Sequence, residues 1–389
     1  MLNDLKVLEL ASVLAGPGVG QFFAEAGAEV IKVENIHTGG DVTRTWRVAD
    51  EKTDDRSSYF CAVNWGKKSI AVDLKQKEGQ EIVSRLAQKS DIMISSYKSG
   101  DAEKFGVDFQ TLSSINPRLI YGHITGFGAS NPRVGYDAVI QAEAGFMFMN
   151  GEPGGLPLKM PVALMDILAA HHLKEGLLIA LLDRHKTGKG DYVHVSLFDA
   201  AVASLANQAT NWLVAGVIPQ KQGSLHPNIS PYGEIFKTAD GSDILLAVGS
   251  DRQFASLGQI LGLDGEVQRL FATNLQRVKN REKLREILQS SIETMPAATL
   301  IASFKSAGIP YGLVRNIKEV FDSPESQALL IQSEDRIGVR TYVGSSPKGN
   351  ISHFLPPPHL GEHTLEILQK SLNFTSQAAK LLFDKAVVA

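Results

Sequence analysis

The first 125 residues alternate short apolar runs with stretches of helical periodicity, and this alternation strongly limits the folds open to the chain. The runs are nearly continuous and rich in β-branched residues, as in strands covered on both faces. They are Leu5–Leu10, Glu29–Glu34, Ser69–Leu74, Asp91–Ser95 and Leu119–Ile124. Apolar residues recur at helical spacing over Val19–Ala26, Lys75–Lys89 and Asp101–Ile115. Strand, helix and strand in succession predict an α/β fold with a parallel, doubly wound sheet.

The remainder of the chain predicts a second, smaller domain and a returning segment. Residues 215–231 contain several glycines and prolines and follow a predicted helix over Asp199–Val214, which indicates a linker. We therefore expect a large domain over 1–214, a small α/β domain over 232–320, and a segment over 321–389 that packs back on the large domain and completes it.

Composition and charge exclude several classes of protein. The chain has 39 Lys and Arg against 42 Asp and Glu, so no basic field indicates a nucleic acid or membrane partner. Its longest apolar stretch, near 177–182, is far shorter than the roughly 20 residues that span a bilayer. Cys61 is the only cysteine, which excludes an intrachain disulfide, and the N-terminus does not resemble a signal peptide. We expect a cytoplasmic globular enzyme.

A glycine-rich turn, Ala15–Gly20, follows the first predicted strand, and Glu34 closes the second. Such a turn at a helix start presents backbone N–H groups to phosphate. Its GxGxG spacing differs from the GxGxxG of dinucleotide sites, and Pro17 removes one N–H, which disfavours an NAD-dependent dehydrogenase. Glycines serving only a tight turn, or another adenine nucleotide on the same edge, remain open.

Asp166 lies within the apolar run Pro161–Ala170, near the start of a predicted helix over Met165–Arg184. A carboxylate in such a run costs free energy unless it is paired, capping or chemically used. It is either a helix N-cap or a nucleophile, and the sequence does not separate the two. The adjacent His171 and His172 face different sides of a helix and cannot share a metal, and Cys61 is the only cysteine, so we predict no metal.

The connection from Asn35 to Lys68 is longer than most loops, and loops of that length are commonly functional. Lysines also recur near the ends of the predicted strands, where they form either solvated surface or a rim that faces phosphate. These are Lys67, Lys68, Lys75, Lys98 and Lys104.

Several segments together resemble the family III CoA-transferases (the CaiB/BaiF family). The matching segments are Ala15-Gly16-Pro17, Gly27–Glu34, Asn64–Asp73, Gly126-Phe127-Gly128, Tyr136-Asp137 with Gln141-Ala142, Arg184 with Thr187–Gly190, and Gly361–Thr364. Each is weak alone, but they occur in the family's order over nearly the whole chain.

The resemblance implies a large Rossmann-like CoA-binding domain, a smaller α/β domain, and two ring-shaped chains interlocked as a homodimer. Asp166 stands at the position of the family's catalytic aspartate. Tyr136 and Asp137 stand at active-site positions. The positions that contact CoA in relatives are Val13, Leu14, Val72, Lys75, Ser96, Tyr97, Lys98 and Lys104. CoA and acyl-CoA are then substrates, with no permanently bound cofactor.

The activity implied is transfer of CoA from an acyl-CoA to a free carboxylic acid, through an aspartyl mixed anhydride and an aspartyl-CoA thioester. Leu14 replaces the active-site glutamine of formyl-CoA transferase, and Asn35 replaces an arginine that holds the CoA phosphate. The stretch Gly223–Tyr232 stands where that enzyme has a glycine-rich lid. Formate–oxalate exchange is therefore not expected, and we predict a short-chain or dicarboxylic acid pair.

Two rival functions share these features. An α-methylacyl-CoA racemase has the same fold but uses a histidine in a Gly-His-Asp motif, which here is Gly135-Tyr136-Asp137. Tyrosine, with an ordinary pKa of about 10, is a poor base at neutral pH. A catalytically silent CoA-binding subunit is the other rival, and retention of Asp166 argues against it.

Overall fold

The computed structural model describes residues 2–98, 100–344 and 354–389, which divide into two compact units. The first comprises Met1–Gly145, Lys159–Gly216 and Ala328–Ala389, and the second comprises Phe146–Leu158 and Val217–Gln327. The sequence-based division places 146–158 in the large domain, whereas this segment belongs to the second unit.

The chain forms eleven strands and nineteen α-helices within its described residues. The strands are β1 (Lys6–Leu10), β2 (Glu29–Asn35), β3 (Lys67–Val72), β4 (Ile92–Ser95), β5 (Ile120–Thr125), β6 (Tyr192–Ser196), β7 (Tyr232–Lys237), β8 (Asp243–Ala247), β9 (Tyr311–Leu313), β10 (Leu330–Gln332) and β11 (Ile337–Val339). The helices are α1 (Ala15–Glu25), α2 (Ser58–Cys61), α3 (Lys77–Gln88), α4 (Asp101–Lys104), α5 (Phe109–Ile115), α6 (Asp137–Glu143), α7 (Phe146–Met149), α8 (Leu164–Thr187), α9 (Leu197–Ala203), α10 (Ala206–Leu213), α11 (Asp251–Ile260), α12 (Gly265–Leu270), α13 (Asn274–Lys279), α14 (Arg281–Ile292), α15 (Ala297–Ala307), α16 (Ile317–Phe321), α17 (Pro324–Gln327), α18 (Thr364–Glu366) and α19 (Ser376–Asp384). Two 3₁₀ turns (Ile36–Thr38 and Val42–Thr45) and a π turn (Ile367–Ser371) complete the set.

The first unit is built on a six-stranded parallel sheet in the order β3-β2-β1-β4-β5-β6. Each of the five strands predicted in the first 125 residues is present, and none is displaced by more than two residues at either end. Val7 of β1 pairs with Val30 of β2 on one side and with Ile92 of β4 on the other. The strand order reverses between β1 and β4, and such a switch point leaves a crevice at the carboxyl ends of the strands.

Two predicted helices are each broken into two in the structure. The helix predicted over Asp101–Ile115 becomes α4 and α5, because Gly106 adopts a left-handed φ of 65° and Asp108 caps α5 by accepting from the Thr111 N–H. The helix predicted over Asp199–Val214 becomes α9 and α10, and Ala206, the first residue of α10, has a left-handed φ of 49°.

The second unit has a three-stranded antiparallel sheet in the order β7-β8-β9, and the strand pair predicted around 239–242 is β7 and β8. Phe236, Leu246, Phe254, Leu288 and Phe304 belong to its buried apolar core. No helix in the described ranges is both long enough and apolar enough to span a membrane.

Candidate active site

A cavity of about 460 Å³ opens at the carboxyl ends of β1 and β4 in the first unit. Its wall includes residues that follow β1 (Ala11, Ser12, Val13, Ala15 and Gly16) and residues that follow β4, from Ser96 to Lys98. This is the edge at which ligands bind in open α/β sheets, since neighbouring connections leave the sheet here in opposite directions.

Asp166 lines this cavity as the third residue of α8. It is not the N-cap, which is Ala163, so the capping alternative left open by the sequence does not apply. The side chain is 8% exposed, and neither carboxylate oxygen has a hydrogen-bond or ion-pair partner within the described residues. Burial, reinforced by the negative charge of Asp137, raises the pKa of Asp166 to about 7.

Asp137 supports the turn that carries Asp166. Its Oδ1 accepts from the Met165 backbone N–H at 2.8 Å, which supplies the capping acceptor that Ala163 lacks. Its Oδ2 accepts from the Gln141 side-chain Nε2 at 2.7 Å, and the Gln141 side-chain Oε1 accepts from the Met160 N–H at 2.8 Å. Asp137 therefore fixes the start of α8 and also makes ionisation of Asp166 more costly.

The residues before α1 form a strained wall of the cavity. Val13 has φ 75°, a left-handed conformation that is a genuine outlier for a β-branched residue. The Asp41 carboxylate accepts from the Val13 N–H at 3.3 Å and is 2.9 Å from Lys32 Nζ. No side chain in the described part of the chain caps α1, whose first residues, Ala15 and Gly16, line the cavity. Uncapped N–H groups at a helix start stabilise negative charge.

Two aromatic residues of the long connection, Tyr59 and Trp46, lie near the site, and of these the sequence analysis did not single out Tyr59. Tyr59 of α2 lies close enough to Asp166 and Asp137 for their charges, together with burial, to raise its pKa. Trp46 contacts the Tyr59 ring edge-on, with 5.1 Å between ring centroids. Both belong to the connection between β2 and β3, so its unusual length was the available signal.

The structure brings only part of the predicted site together. The predicted residues that line the cavity are Val13, Ser96, Tyr97, Lys98, Tyr136 and Asp166. Of the others, Leu14 precedes α1, Val72 is buried at the end of β3, Lys75 and Lys104 are exposed, and Asp137 lies behind the start of α8. That these residues contact CoA or take part in catalysis stays a prediction.

One lysine of the proposed phosphate-facing rim is in fact buried. Lys67 Nζ lies 2.7 Å from Glu9 Oε2, and Glu9 Oε1 lies 2.9 Å from Lys32 Nζ. Burial, only partly offset by Glu9, lowers the pKa of Lys67 to about 8. Lys67 is 0% exposed, so it belongs to the core beneath the cavity and faces neither solvent nor phosphate.

The carboxylate of Glu34, the acidic residue that a dinucleotide site would offer to a ribose, already accepts hydrogen bonds from other side chains of the protein. The Arg44 guanidinium donates to its two oxygens at 2.8 and 2.7 Å, and the Ser69 hydroxyl donates at 2.6 Å. This pairing leaves Glu34 without the free acceptor that an NAD ribose requires.

Asp54, Asp55 and His359 bring potential metal ligands within 4.8 Å of one another. Asp54 pairs with Arg56 and Arg336, and Asp55 pairs with Arg44. The charge of both carboxylates is thus balanced by guanidinium groups, and the cluster does not point to a cation site.

The sheet, the cavity at its switch point and the buried carboxylate in that cavity are typical of an α/β enzyme. The profile of CoA-transferase family III matches residues 2–364. The succinate–glutarate CoA-transferase of Agrobacterium fabrum is 38% identical over 382 residues, covering 94% of each chain. The human succinyl-CoA:glutarate CoA-transferase is 35% identical over 397 residues, covering 100% of this chain and 90% of that protein. The crystal structure of a CaiB/BaiF family protein from Brucella suis superposes with a TM-score of 0.81 at 38% identity, covering 94% of this chain and 98% of that one.

The chain therefore belongs to CoA-transferase family III and is a CoA-transferase. The family resemblance drawn from the sequence is confirmed, and CoA thioesters and carboxylic acids are its substrate classes. These relatives are named as transferases, which does not favour the racemase alternative.

Proposed function

We propose that this enzyme transfers CoA from succinyl-CoA to a second short-chain dicarboxylic acid, with Asp166 as the nucleophile. The relatives named above act on succinyl-CoA, succinate and glutarate by their names. The observation that carries the proposal is the Asp166 carboxylate, which lines the cavity and has no partner among the residues that the structure describes. A carboxylate that is buried but not paired is available to react.

Four exchanges complete the reaction, and each forms one bond and breaks one. An ionised Asp166 oxygen attacks the thioester carbonyl and releases CoA thiolate, which leaves a mixed anhydride. The thiolate then attacks the aspartyl carbonyl, releases the donor acid and forms an aspartyl-CoA thioester. The acceptor carboxylate attacks the carbonyl of this thioester, which releases CoA thiolate again and gives a second mixed anhydride. CoA thiolate attacks its acyl carbonyl, which frees the product thioester and regenerates Asp166.

The raised pKa of Asp166 suits this chemistry, because a carboxylate that is poorly stabilised in its ionised form is a stronger nucleophile. The anhydrides would hydrolyse in water, so burial of the side chain also protects them. Negative charge develops on the attacked carbonyl oxygen, and the uncapped N–H groups of α1 are the natural donors to it.

The CoA-binding wall, the homodimer and the cytoplasmic location are further proposals, and they rest on the family resemblance. CoA would lie along the wall that Ser96, Tyr97 and Lys98 provide. Two chains of 42.1 kDa would interlock as a homodimer in the cytoplasm. Light scattering on the eluting protein would test the dimer, and a monomer mass would contradict it.

The experiment is chemical trapping. The protein is incubated with succinyl-, acetyl-, propionyl- or mesaconyl-CoA, quenched with hydroxylamine, and digested for mass spectrometry. We expect a hydroxamate on Asp166 with succinyl-CoA, and none in Asp166→Asn. Asp183→Asn, at an exposed position of the same helix, is the matched control and should be trapped as efficiently as the parent. Unmodified Asp166 together with solvent deuterium at the α-carbon of a branched acyl-CoA would instead indicate a racemase.

A further inference from the structure

Three cations lie on the described wall of the cavity: Lys32, Lys98 and Arg133. The charge of Lys32 is balanced, since its Nζ lies 2.9 Å from both Glu9 and Asp41. Lys98 follows β4 at a predicted CoA position and also borders a second, smaller cavity. Arg133 pairs with one carboxylate, that of Glu143, and the proposed mechanism gives it no role.

The Arg133 guanidinium is held in a defined place although half of its side chain is exposed. Its Nη1 and Nη2 donate to the two oxygens of Glu143 at 3.0 and 2.5 Å. It also lies 4.2 Å from the centre of the Phe127 ring, which in turn packs against Phe198. The pairing with Glu143 uses two of the five guanidinium N–H groups, and the other three have no partner within the described residues.

The loop that carries Arg133 is fastened next to Asp166. Gly126 and Gly135 touch, because a Cβ on Gly126 would come within 2.6 Å of the Gly135 backbone. Two residues beyond Gly135, Asp137 binds the backbone that precedes Asp166. Arg133 and Asp166 therefore border the same cavity.

The size of the cavity suits a dicarboxylyl group held between Asp166 and Arg133. The end carbons of a four- or five-carbon diacid lie roughly 4–5 Å apart. Adding roughly 3 Å for attack by Asp166 and roughly 3 Å for a hydrogen bond at the far end gives roughly 10–11 Å. A sphere of 460 Å³ is about 10 Å across, so the cavity has room for this span.

We propose that Arg133 binds the distal carboxylate of a dicarboxylyl substrate and so selects dicarboxylates over monocarboxylates of the same length. Its free N–H groups form the planar fork that carboxylates accept, and Glu143 and Phe127 keep the fork oriented. This inference rests on the proposed function, since it concerns the acyl end of the same site.

Steady-state kinetics of Arg133→Met test it, with glutarate and pentanoate as acceptors and with succinyl-CoA and acetyl-CoA as donors. We expect KM for glutarate and for succinyl-CoA to rise roughly 10- to 100-fold with kcat little changed, because hydrogen bonds to a charged group are lost. KM for pentanoate and acetyl-CoA should not rise. Arg133→Lys, which keeps the charge but not the fork, should recover part of the loss.

Arg118→Met is the matched control, since Arg118 is an exposed arginine that precedes β5 at the opposite edge of the sheet. It should behave as the parent enzyme, and unchanged melting temperatures would show that all variants are folded. An equal rise in KM for succinyl-CoA and acetyl-CoA would assign Arg133 to a CoA phosphate and overturn the proposal. Unchanged selectivity in Arg133→Met would also overturn it while the proposed function stood. A parent enzyme that turned over neither dicarboxylate would overturn both.

Discussion

The carboxyl group of Asp166 lies where ionisation costs free energy. The cavity wall removes most of its water, and Asp137, anchored one residue away on the Met165 N–H, contributes a like charge. An aspartate that served only structure would be paired, as Asp41 is with Lys32. The enzyme thus carries a destabilising group at the point where the proposed reaction needs it.

Replacing Asp166 by Asn should stabilise the protein, and more so as the pH rises. At pH values below about 4 the group is protonated in both the folded and unfolded states, so the variant should match the parent. Between about 4 and 7 the unfolded carboxyl ionises while the folded one resists, because its pKa is about 7, so the parent loses stability. The gain should reach at most about 4 kcal/mol above pH 7, since one pKa unit is about 1.4 kcal/mol.

Urea unfolding of both proteins from pH 4 to pH 8 measures this gain. The exposed Asp183→Asn of the same helix controls for the exchange of side chains and should show little change with pH. A gain for Asp166→Asn that is independent of pH would mean that ionisation is not the source of the cost.

The strain at Val13 predicts a reversed order of two substitutions. At φ 75° glycine is tolerated and alanine is not, so Val13→Gly should be more stable than Val13→Ala by about 1 kcal/mol, opposite to the usual preference. Because relaxing this turn releases the start of α1, Val13→Gly should also lose kcat/KM. Thermal unfolding and succinyl-CoA:glutarate assays check both effects. If alanine were the more stable variant, Val13 would not be strained.

At the residue scale, the sequence predicted those site residues that differ clearly from their neighbours in the chain. Asp166 stood out as a carboxylate in an apolar run. Tyr59 and Arg133 did not stand out, because each lies in a connection between two strands that has no apolar periodicity. Lys67 looked like surface because its partner Glu9 is far away in sequence and comes close only when β1 and the start of β3 are in place.

At the scale of elements, α1 packs closely on β1. Two glycines of α1 therefore differ in whether an added methyl group would fit beside them. A Cβ on Gly20 would come within 1.8 Å of Glu9 Oε2, the partner of Lys67. A Cβ on Gly18 would meet Ala170 at 3.8 Å, an ordinary contact. The buried ion pairs of Glu9 therefore depend on a bare helix surface at Gly20.

Gly20→Ala should destabilise the protein by roughly 3 kcal/mol or more, because Glu9 must leave a buried charge pair. Gly18→Ala is the matched control and should be neutral or gain up to about 1 kcal/mol from the helix preference of alanine. Denaturant unfolding of both variants gives the comparison. Equal stabilities of the two variants would mean that the Glu9 side chain can move away from Lys67 without a loss of folding stability.

The limits of helices were less predictable than those of strands. The break at Gly106 has a signal, a glycine followed two residues later by Asp108, a preferred N-cap. The break at Ala206 has none, since alanine favours helices and its φ of 49° is imposed by the surrounding fold. The buried parallel strands were predictable because apolar runs covered on both faces have few other uses.

At the scale of the whole molecule, contacts distant in sequence decide the division of the chain. The composition of residues 146–158 does not differ from that of the large domain. In the structure these residues nevertheless belong to the second unit, where the Gly223 N–H donates to the Gly151 carbonyl. The last residues return to the sheet in a similar way. Val388 pairs antiparallel with Val72 at the edge strand β3, and the Asp73 N–H donates to Val387 at 2.8 Å.

Removing Val387–Ala389 should therefore weaken the whole first unit. Val387 and Val388 are 0% and 2% exposed, and burying two such side chains contributes at least about 3 kcal/mol. The deletion also uncovers the end of β3, an edge that promotes association of chains. We expect a lower melting temperature and greater aggregation on heating. Leu381→Ala, an exposed apolar position in α19, is the matched control and should change neither. A deletion that melted with the parent would mean that the sheet edge is stable without these residues.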